Sequence, residues 1–250
     1  MEFAEPSCFA SSMIVLIIAI ASVISSVTGM AGGILMFSGM GMFIPLQPLI
    51  AVHGTVQVFG NASRAWFLRH ALLWPMIAAF SIGATIGAAA TTVWIARAVP
   101  QWLPLSLLFV LISYSLLRPE SMTPLRIADH NFFWVGLLTG SLGIIAGAID
   151  PLLAAFFLRD DLNREQVVAN KTCMQLVVHL TKIPAFIYLG FAFSEHWQYL
   201  VLFAAAAIFG SRLGVYLLQK IDNALFFRLM KIALCLAALR IFYQLLNVIF

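Results

Sequence analysis

Charge is scarce in this chain of 250 residues, and that scarcity decides the class of protein. Only 10% of the residues are charged, whereas 62% are hydrophobic and the mean hydropathy is +1.00. A soluble protein carries about 25% charged residues, and a water-soluble domain cannot bury so much apolar surface. The apolar runs are continuous, unlike the alternating segments of roughly ten residues in a transmembrane barrel. The sequence therefore predicts a polytopic α-helical membrane protein.

Cysteine pairs and catalytic motifs are missing as well. The three cysteines are isolated and no C-x-x-C occurs, so a thiol–disulfide relay has no residues to use. There is no H-E-x-x-H motif and no Ser/His/Asp cluster at one membrane level. We therefore expect no enzyme activity, no metal site and no cofactor. A net charge of +4 is small and favours basic cytoplasmic loops over a nucleic-acid partner.

Long apolar runs predict eight spanning segments, because a membrane-crossing helix needs about 20 mainly apolar residues. A linker with prolines and charges at 119–131 separates a first repeat, 1–118, from a second repeat, 132–250. The predicted fold class is all-α, a polytopic transmembrane helix bundle of about eight segments in two homologous four-segment repeats with interrupted helices. The segments are 9–27 with a continuation at 34–50, then 54–73, 75–96, 103–117, 132–158, 164–189, 197–218 and 225–249.

An internal repeat carries polar residues within these apolar segments. Thr-Gly-x-x-Gly at 28–32 is followed at 57–63 by Gln-Val-x-small-Asn-x-Ser/Thr, where small is Gly or Ala, and both patterns recur at 139–143 and 166–172. A duplicated unit with glycine breaks and polar helix positions in an apolar chain is typical of a transporter.

The paired glycines predict where helices are interrupted. Glycine is unfavourable inside a helix and exposes its backbone, so we expect breaks at Gly29 and Gly32 and again at Gly140 and Gly143. A half-helix that begins there would offer free N–H groups to an anion, which makes Gly32 and Gly143 candidate substrate-contact positions. The alternative is that these glycines only let helices pack closely.

Two polar stripes follow the glycines. His53, Gln57, Asn61 and Arg64 are spaced by 4, 4 and 3 residues, which places them on one helix face with Ser63 beside it. The second stripe has the same spacing and consists of Lys171, Gln175, His179 and Lys182. Gln166 and Asn170 lie about a turn earlier. The alternative reading is hydrogen bonding that holds the bundle together, or snorkelling of the cations to the interface. The candidate substrate-binding side chains are Arg64, Gln57, Asn61, Ser63, Gln166, Asn170, Lys171, Gln175 and Lys182.

Acidic residues are nearly absent from the predicted segments. Asp150 is the only carboxylate in a segment interior, where it could cap a broken helix, pair with a cation or take part in coupling. His53 and His179 are further coupling candidates, because imidazole titrates near neutral pH. The excess of buried cations over carboxylates favours an anionic substrate.

The motifs together resemble one known family. The run His53-Gly54-x-x-Gln57-x-x-x-Asn61-x-Ser63-Arg64, after Gly29-x-x-Gly32-Gly33, resembles the TauE/SafE family of sulfite-exporter-type permeases. The run Arg164-Glu165-x-Val167-x-Ala169-x-Lys171, followed by Gln175, His179 and Lys182, is similar to that family's second repeat. The resemblance covers about residues 14–246. It implies eight transmembrane segments in two repeats, in a bacterial inner membrane. The chain departs from the family pattern at Met30-Ala31, where many members have more glycines. It also departs at Asp150, where the family pattern leads us to expect an apolar residue.

The sequence thus predicts a multi-pass secondary transporter. The resemblance implies export of a small sulfur-containing anion, such as sulfite or a sulfonate. Three alternatives stay open, namely a membrane-embedded enzyme, a channel or structural subunit, and a permease for another small organic anion. The expected partners are the anion, the lipid bilayer and H⁺ as candidate coupling ion, and a homo-oligomer is left open.

Overall fold

The computed structural model describes residues 7–95, 102–117, 127–146, 150–159, 161–188 and 190–249. Within these ranges the regular structure is helical, without a strand. This confirms the all-α prediction. The α-helices are α1 (Cys8–Thr28), α2 (Gly32–Met40), α3 (Leu46–Phe67), α4 (Trp74–Ala90), α5 (Trp102–Leu117), α6 (Phe132–Ala146), α7 (Asp150–Phe156), α8 (Arg164–Tyr188), α9 (Trp197–Leu218) and α10 (Asn223–Ile249).

Three of the described helices are long and apolar enough to cross a membrane. They lie at Cys8–Thr28, Trp74–Val93 and Trp197–Leu218. Their outer faces expose large apolar side chains such as Leu16 and Phe209, which suit contact with lipid tails. The protein is therefore a helical membrane protein. The count of eight segments and the division into two repeats extend beyond these three helices and stay predictions, and residues 119–126 of the linker lie outside the described ranges.

The first half contains the predicted break. Helix α1 ends at Gly29, which has a left-handed backbone with φ of 70°, and Ala31 also has φ of 70° before α2 begins. Gly29 suits this conformation because it has no Cβ. Helix α2 then runs back along α1, with Gly32 against Ser25 and Gly39 against Ile17. The interruption predicted at Gly29 and Gly32 is confirmed.

The second half is different. Helix α6 runs unbroken through Gly140 and Gly143 to Ala146, so the interruption predicted there is wrong. A Cβ on Gly140 would overlap the backbone of Ala84 in α4, so Gly140 allows two helices to pack closely. The next helix, α7, begins at Asp150, and residues 147–149 lie outside the described ranges.

The predicted continuation at 34–50 is also wrong, because it joins two helices. Helix α2 ends at Met40 and α3 begins at Leu46. Pro45 directly precedes α3 and Pro48 lies in its first turn, where a helix needs no backbone N–H from the residue. The two prolines therefore mark the start of a new helix within the predicted continuation.

Close backbone packing joins the helices in pairs around a central pair. Helix α1 packs along α9, where a Cβ on Gly210 would overlap the Ala19 carbonyl oxygen, and α4 packs along α6, where a Cβ on Gly83 would overlap the Phe133 carbonyl oxygen. Helices α3 and α8 pack on each other, and they contact α9 and α4 respectively. The helix contacts thus follow the order α1, α9, α3, α8, α4, α6, and α3 and α8 lie in the middle.

Helices α3 and α8 are antiparallel. His70 after α3 lies 2.9 Å from Glu165 at the start of α8, between His70 Nε2 and Glu165 Oε2. The rings of His53 and His179 are 5.9 Å apart at the other end of the crossing. The two polar stripes therefore face each other along the middle of the bundle.

Candidate functional site

Nine buried polar side chains form the candidate site, called here the polar cluster. Each of them exposes 3% of its surface or less. The 4, 4 and 3 spacing explains this arrangement, because it keeps four residues of each helix on the face that meets the other helix. The members are His53, Gln57, Asn61 and Arg64 on α3, Lys171, Gln175, His179 and Lys182 on α8, and Asp150 at the start of α7.

Charge in the polar cluster is uneven. Arg64, Lys171 and Lys182 provide three cations, and Asp150 is close enough to interact electrostatically with all three. Arg64 and Lys171 also act on each other. With neutral histidines, three cations and one carboxylate give the polar cluster a net charge of +2 among the described residues. A buried charge is costly unless it is paired, so this cluster is suited to a bound anion.

The start of α2 closes one side of the polar cluster. Gly33 lies against Asp150, and a Cβ at this position would overlap the Asp150 carboxylate. The Gly33 carbonyl oxygen is 3.1 Å from His53 Nε2, and Gln57 Nε2 is 3.3 Å from the same nitrogen. The broken helix is thus held directly at the site. Gly32, by contrast, packs on Ala21 and Ser25 of α1.

Gly33 is the contact that sequence reasoning missed. It belongs to the glycine run that predicted the break, but Gly32 was the residue singled out there. A second glycine next to the first could have indicated that two different neighbours approach the helix start.

Several polar atoms of the cluster have no hydrogen-bond partner among the described residues. Arg64 donates from Nη2 to Asn61 Oδ1, and Gln175 donates to Asp150 Oδ1. The unpartnered atoms are Asn61 Nδ2, Arg64 Nε, Asp150 Oδ2 and His179 Nδ1. An unpaired buried polar group costs about 1–3 kcal/mol, so a ligand with both acceptors and donors could bond to these four atoms.

Two of the predicted binding residues, Gln166 and Asn170, lie near the start of α8, where they bond to backbone. Gln166 and Asn163 exchange hydrogen bonds that cap the helix start, at 3.1 Å and 2.9 Å. Asn170 accepts from the Leu73 N–H at 2.7 Å and donates to the Ala71 carbonyl at 3.0 Å. Asn170 precedes Lys171 by one residue, which is about 100° around a helix, so it points away from the stripe. These contacts hold the turn between α3 and α4.

Ser63 and Gly143 are not brought to the polar cluster by any contact that the structure describes. The Ser63 hydroxyl donates to the Gly60 carbonyl one turn back, at 2.9 Å. Gly143 is buried within α6. The structure thus joins eight of the predicted binding and coupling residues on the two stripes, together with Asp150, and places the others elsewhere.

The comparison with known families agrees with the geometry. The model of the sulfite exporter TauE/SafE family matches residues 14–241. The chain belongs to this family. No significant match was found among curated proteins or among solved structures. Membership makes the chain a membrane transport protein of the sulfite exporter TauE/SafE type and confirms the resemblance seen in the motifs.

Proposed function

We propose that this TauE/SafE family protein is a secondary transporter that exports a small sulfur-containing anion, such as sulfite or a sulfonate, across a bacterial inner membrane. The observation that carries the proposal is that, among the described residues of the site, the buried cations Arg64, Lys171 and Lys182 outnumber the one carboxylate, Asp150. A charge at the centre of a spanning helix costs at least about 2.5–3.5 kcal/mol. Three such residues on facing helices are retained because they bind something of opposite charge.

The chemistry of the donors favours a small oxyanion. The Arg64 guanidinium is a planar fork that matches the oxygens of a sulfonate or sulfite. The two lysines add point charges, and the amides of Gln57, Asn61 and Gln175 supply neutral donors. Every one of these side chains is buried, so the anion would lose its water and gain charge-assisted hydrogen bonds in exchange.

The packing of the helices supports an alternating mechanism. If α1–α5 and α6–α10 are two repeats, α1 is equivalent to α6 and α4 to α9, so the α1–α9 and α4–α6 contacts are equivalent. The α3–α8 and α5–α10 contacts each join a helix to its equivalent in the other repeat. Transporters built from such repeats bind substrate at the repeat interface and open alternately to the two sides. The proposed repeats are 1–118 and 132–250, joined by the linker 119–131.

A proton is the proposed coupling ion. His53 and His179 face each other across the α3–α8 contact, and Asp150 is within electrostatic range of His53. Proton binding to either ring or to the carboxylate would change the charge that the anion meets. An inward or outward pH gradient should therefore change the rate of sulfite flux in vesicles, and His53→Gln together with His179→Gln should remove that dependence.

Counterflow in proteoliposomes tests the proposed function. Vesicles preloaded with unlabelled sulfite should accumulate labelled sulfite transiently, and sulfoacetate, thiosulfate, acetate and phosphate added outside rank the competing anions. Arg64→Ala should abolish counterflow. Arg212→Ala is the matched control, because Arg212 is an exposed cation on α9. Sulfite flux without counterflow would indicate a channel, and strong counterflow of acetate alone would indicate a permease for organic anions.

A further inference from the structure

We propose that Asp150 is an anion built into the site, a tethered carboxylate that competes with the transported anion for the buried cations and so sets the charge that the site selects. This inference rests on the proposed function in one respect, that the polar cluster binds an anion. It assigns Asp150 a specificity-determining role, separate from capping a helix.

The position of Asp150 supports this role. Its side chain exposes 3% of its surface. It lies against Gly33 of α2, accepts a hydrogen bond from Gln175 of α8 and interacts electrostatically with Arg64 of α3. The other titratable groups that interact with it are His53, Lys171 and Lys182. Within the described ranges, Asp150 is thus the single carboxylate at the point where the two polar stripes and the start of α2 meet.

The bonding of Asp150 is incomplete for a structural ion pair. A carboxylate has two oxygens that together accept about four hydrogen bonds. One oxygen of Asp150 accepts from Gln175, while Oδ2 has no hydrogen-bond partner among the described residues. Arg64 directs Nη2 to Asn61 rather than to this oxygen. A buried pair that only served stability would be expected to satisfy its oxygens with the nearby cations.

The charge balance explains what the carboxylate does to the substrate. With Asp150 ionised and both histidines neutral, the polar cluster carries two net positive charges, and without the carboxylate it carries three. A second oxyanion that enters must share the cations with Asp150. The carboxylate therefore weakens anion binding and keeps a small monovalent anion from being held too tightly to leave.

Asp150→Asn tests the proposal, because asparagine keeps the size and the capping ability but removes the charge. Binding of sulfite to the purified full-length variant should tighten by at least about tenfold, which corresponds to about 1.4 kcal/mol. Formate should raise the Tm of Asp150→Asn, because this small carboxylate can bind the cations whose charge Asp150 no longer balances, and should leave the wild-type Tm unchanged. Turnover in counterflow should fall, since release of the anion becomes slower.

Asp129→Asn is the matched control, because Asp129 is an exposed carboxylate in a short turn before α6. It should bind sulfite as the wild type does and should not respond to formate. Wild-type sulfite affinity together with no formate response in Asp150→Asn would overturn the proposal and leave Asp150 as a helix cap.

A second variant covers the case in which Asp150→Asn does not fold. The double variant Asp150→Asn with Lys171→Met restores two net charges, so it should fold, and formate should not raise its Tm. Failure of the double variant to fold, or a rise of its Tm with formate, would contradict the charge argument. Loss of the proposed function is seen separately, as absence of wild-type counterflow with sulfite-type anions, whereas the formate response of the variants tests Asp150 by itself.

Discussion

At the scale of single residues, Arg64 is the cation whose surroundings point most directly to a ligand. It is 2% exposed, it bonds Asn61 with one nitrogen, and its Nε has no hydrogen-bond partner among the described residues. We expect Arg64→Lys to weaken sulfite binding by about tenfold, or about 1.4 kcal/mol, because lysine keeps the charge but loses the planar fork. Arg64→Ala should remove binding altogether. Titration calorimetry on the purified variants measures both, and unchanged affinity in Arg64→Ala would exclude this role.

Asn170, in contrast to Arg64, is expected to stabilise the fold and not to bind the anion. Its side chain is fully buried and bonded to the backbone of Ala71 and Leu73, so Asn170→Ala leaves backbone groups of the α3–α4 turn unpaired. We expect a loss of about 1–3 kcal/mol in unfolding free energy with nearly unchanged sulfite affinity. A thermal-shift measurement beside the binding assay separates the two quantities. A large loss of affinity at an unaltered Tm would restore Asn170 to the binding site.

The polar stripes could be predicted from the sequence because spacing on a helix is local. The 4, 4 and 3 pattern alone placed Arg64 with His53 and Lys171 with Lys182 on helix faces. The repeat of Gln57 and Asn61 at Gln166 and Asn170 suggested equivalent roles, but the second stripe is shifted by one residue, and this shift turns Asn170 toward the α3–α4 turn. The contact of Gly33 with Asp150 joins residues far apart in the chain, and no local pattern reveals such a contact.

At the scale of helices, glycines have two different uses that can be distinguished by substitution. A Cβ at Gly33 would meet the Asp150 carboxylate, whereas a Cβ at Gly83 would meet the backbone of Phe133. We expect Gly33→Ala to reduce sulfite affinity by at least about tenfold, about 1.4 kcal/mol, with a small change in Tm. Gly83→Ala should lower the unfolding free energy by about 1–3 kcal/mol through overpacking, with less effect on affinity.

Gly60→Ala is the control for both substitutions. Its added Cβ would lie 3.5 Å from the Ala207 Cβ, an ordinary contact, and alanine favours the helix by up to about 1 kcal/mol over glycine. The variant should therefore bind sulfite normally with an equal or higher Tm. Equal losses of Tm and affinity in Gly33→Ala and Gly83→Ala would mean that both glycines serve packing only.

Helix α2 has a second support, which comes from α10. Arg240 of α10 donates to the Ile34 carbonyl at 3.3 Å and to the Ser38 hydroxyl. We expect Arg240→Met to lower the unfolding free energy by about 1.5–3 kcal/mol, the range for hydrogen bonds to charged groups, and to weaken sulfite binding through movement of α2. Arg228→Met on the exposed side of the same helix should do neither. A normal Tm in Arg240→Met would contradict the conclusion that Arg240 stabilises α2.

Helix boundaries were predictable where the chain gives a single local signal. Helix α9 runs from Trp197 to Leu218 as the apolar pattern predicts. The sequence could not distinguish a glycine that ends a helix, as Gly29 does, from one that packs against a neighbour, as Gly140 does, because only the position of α4 decides between them. The prolines at 45 and 48 were ambiguous for the same reason, since proline suits the start of one helix as well as the end of another.

At the scale of the whole molecule, the polar cluster is closed to solvent. All nine members expose 3% or less, so an anion can enter only if helices move apart. The α1–α9 and α4–α6 pairs touch backbone to backbone through their glycines and therefore suit rigid units. The α3–α8 contact holds polar side chains with unpartnered atoms, which makes it the weaker contact and the place where opening would occur.

The site also draws on both proposed repeats. Arg64 and Gly33 come from residues 1–118, whereas Asp150, Lys171 and Lys182 come from residues 132–250, so neither half contains a complete anion site.

We expect the two halves, expressed together as separate chains without the linker 119–131, to copurify and to support sulfite counterflow. Helix pairs such as α1–α9 and α4–α6 join the halves, and each half expressed alone should be unstable and inactive because these pairs lose one member. Copurification with anchored tags and counterflow in vesicles measure the two results. Transport by one half alone, or stable halves that do not associate, would contradict a single site shared between two repeats.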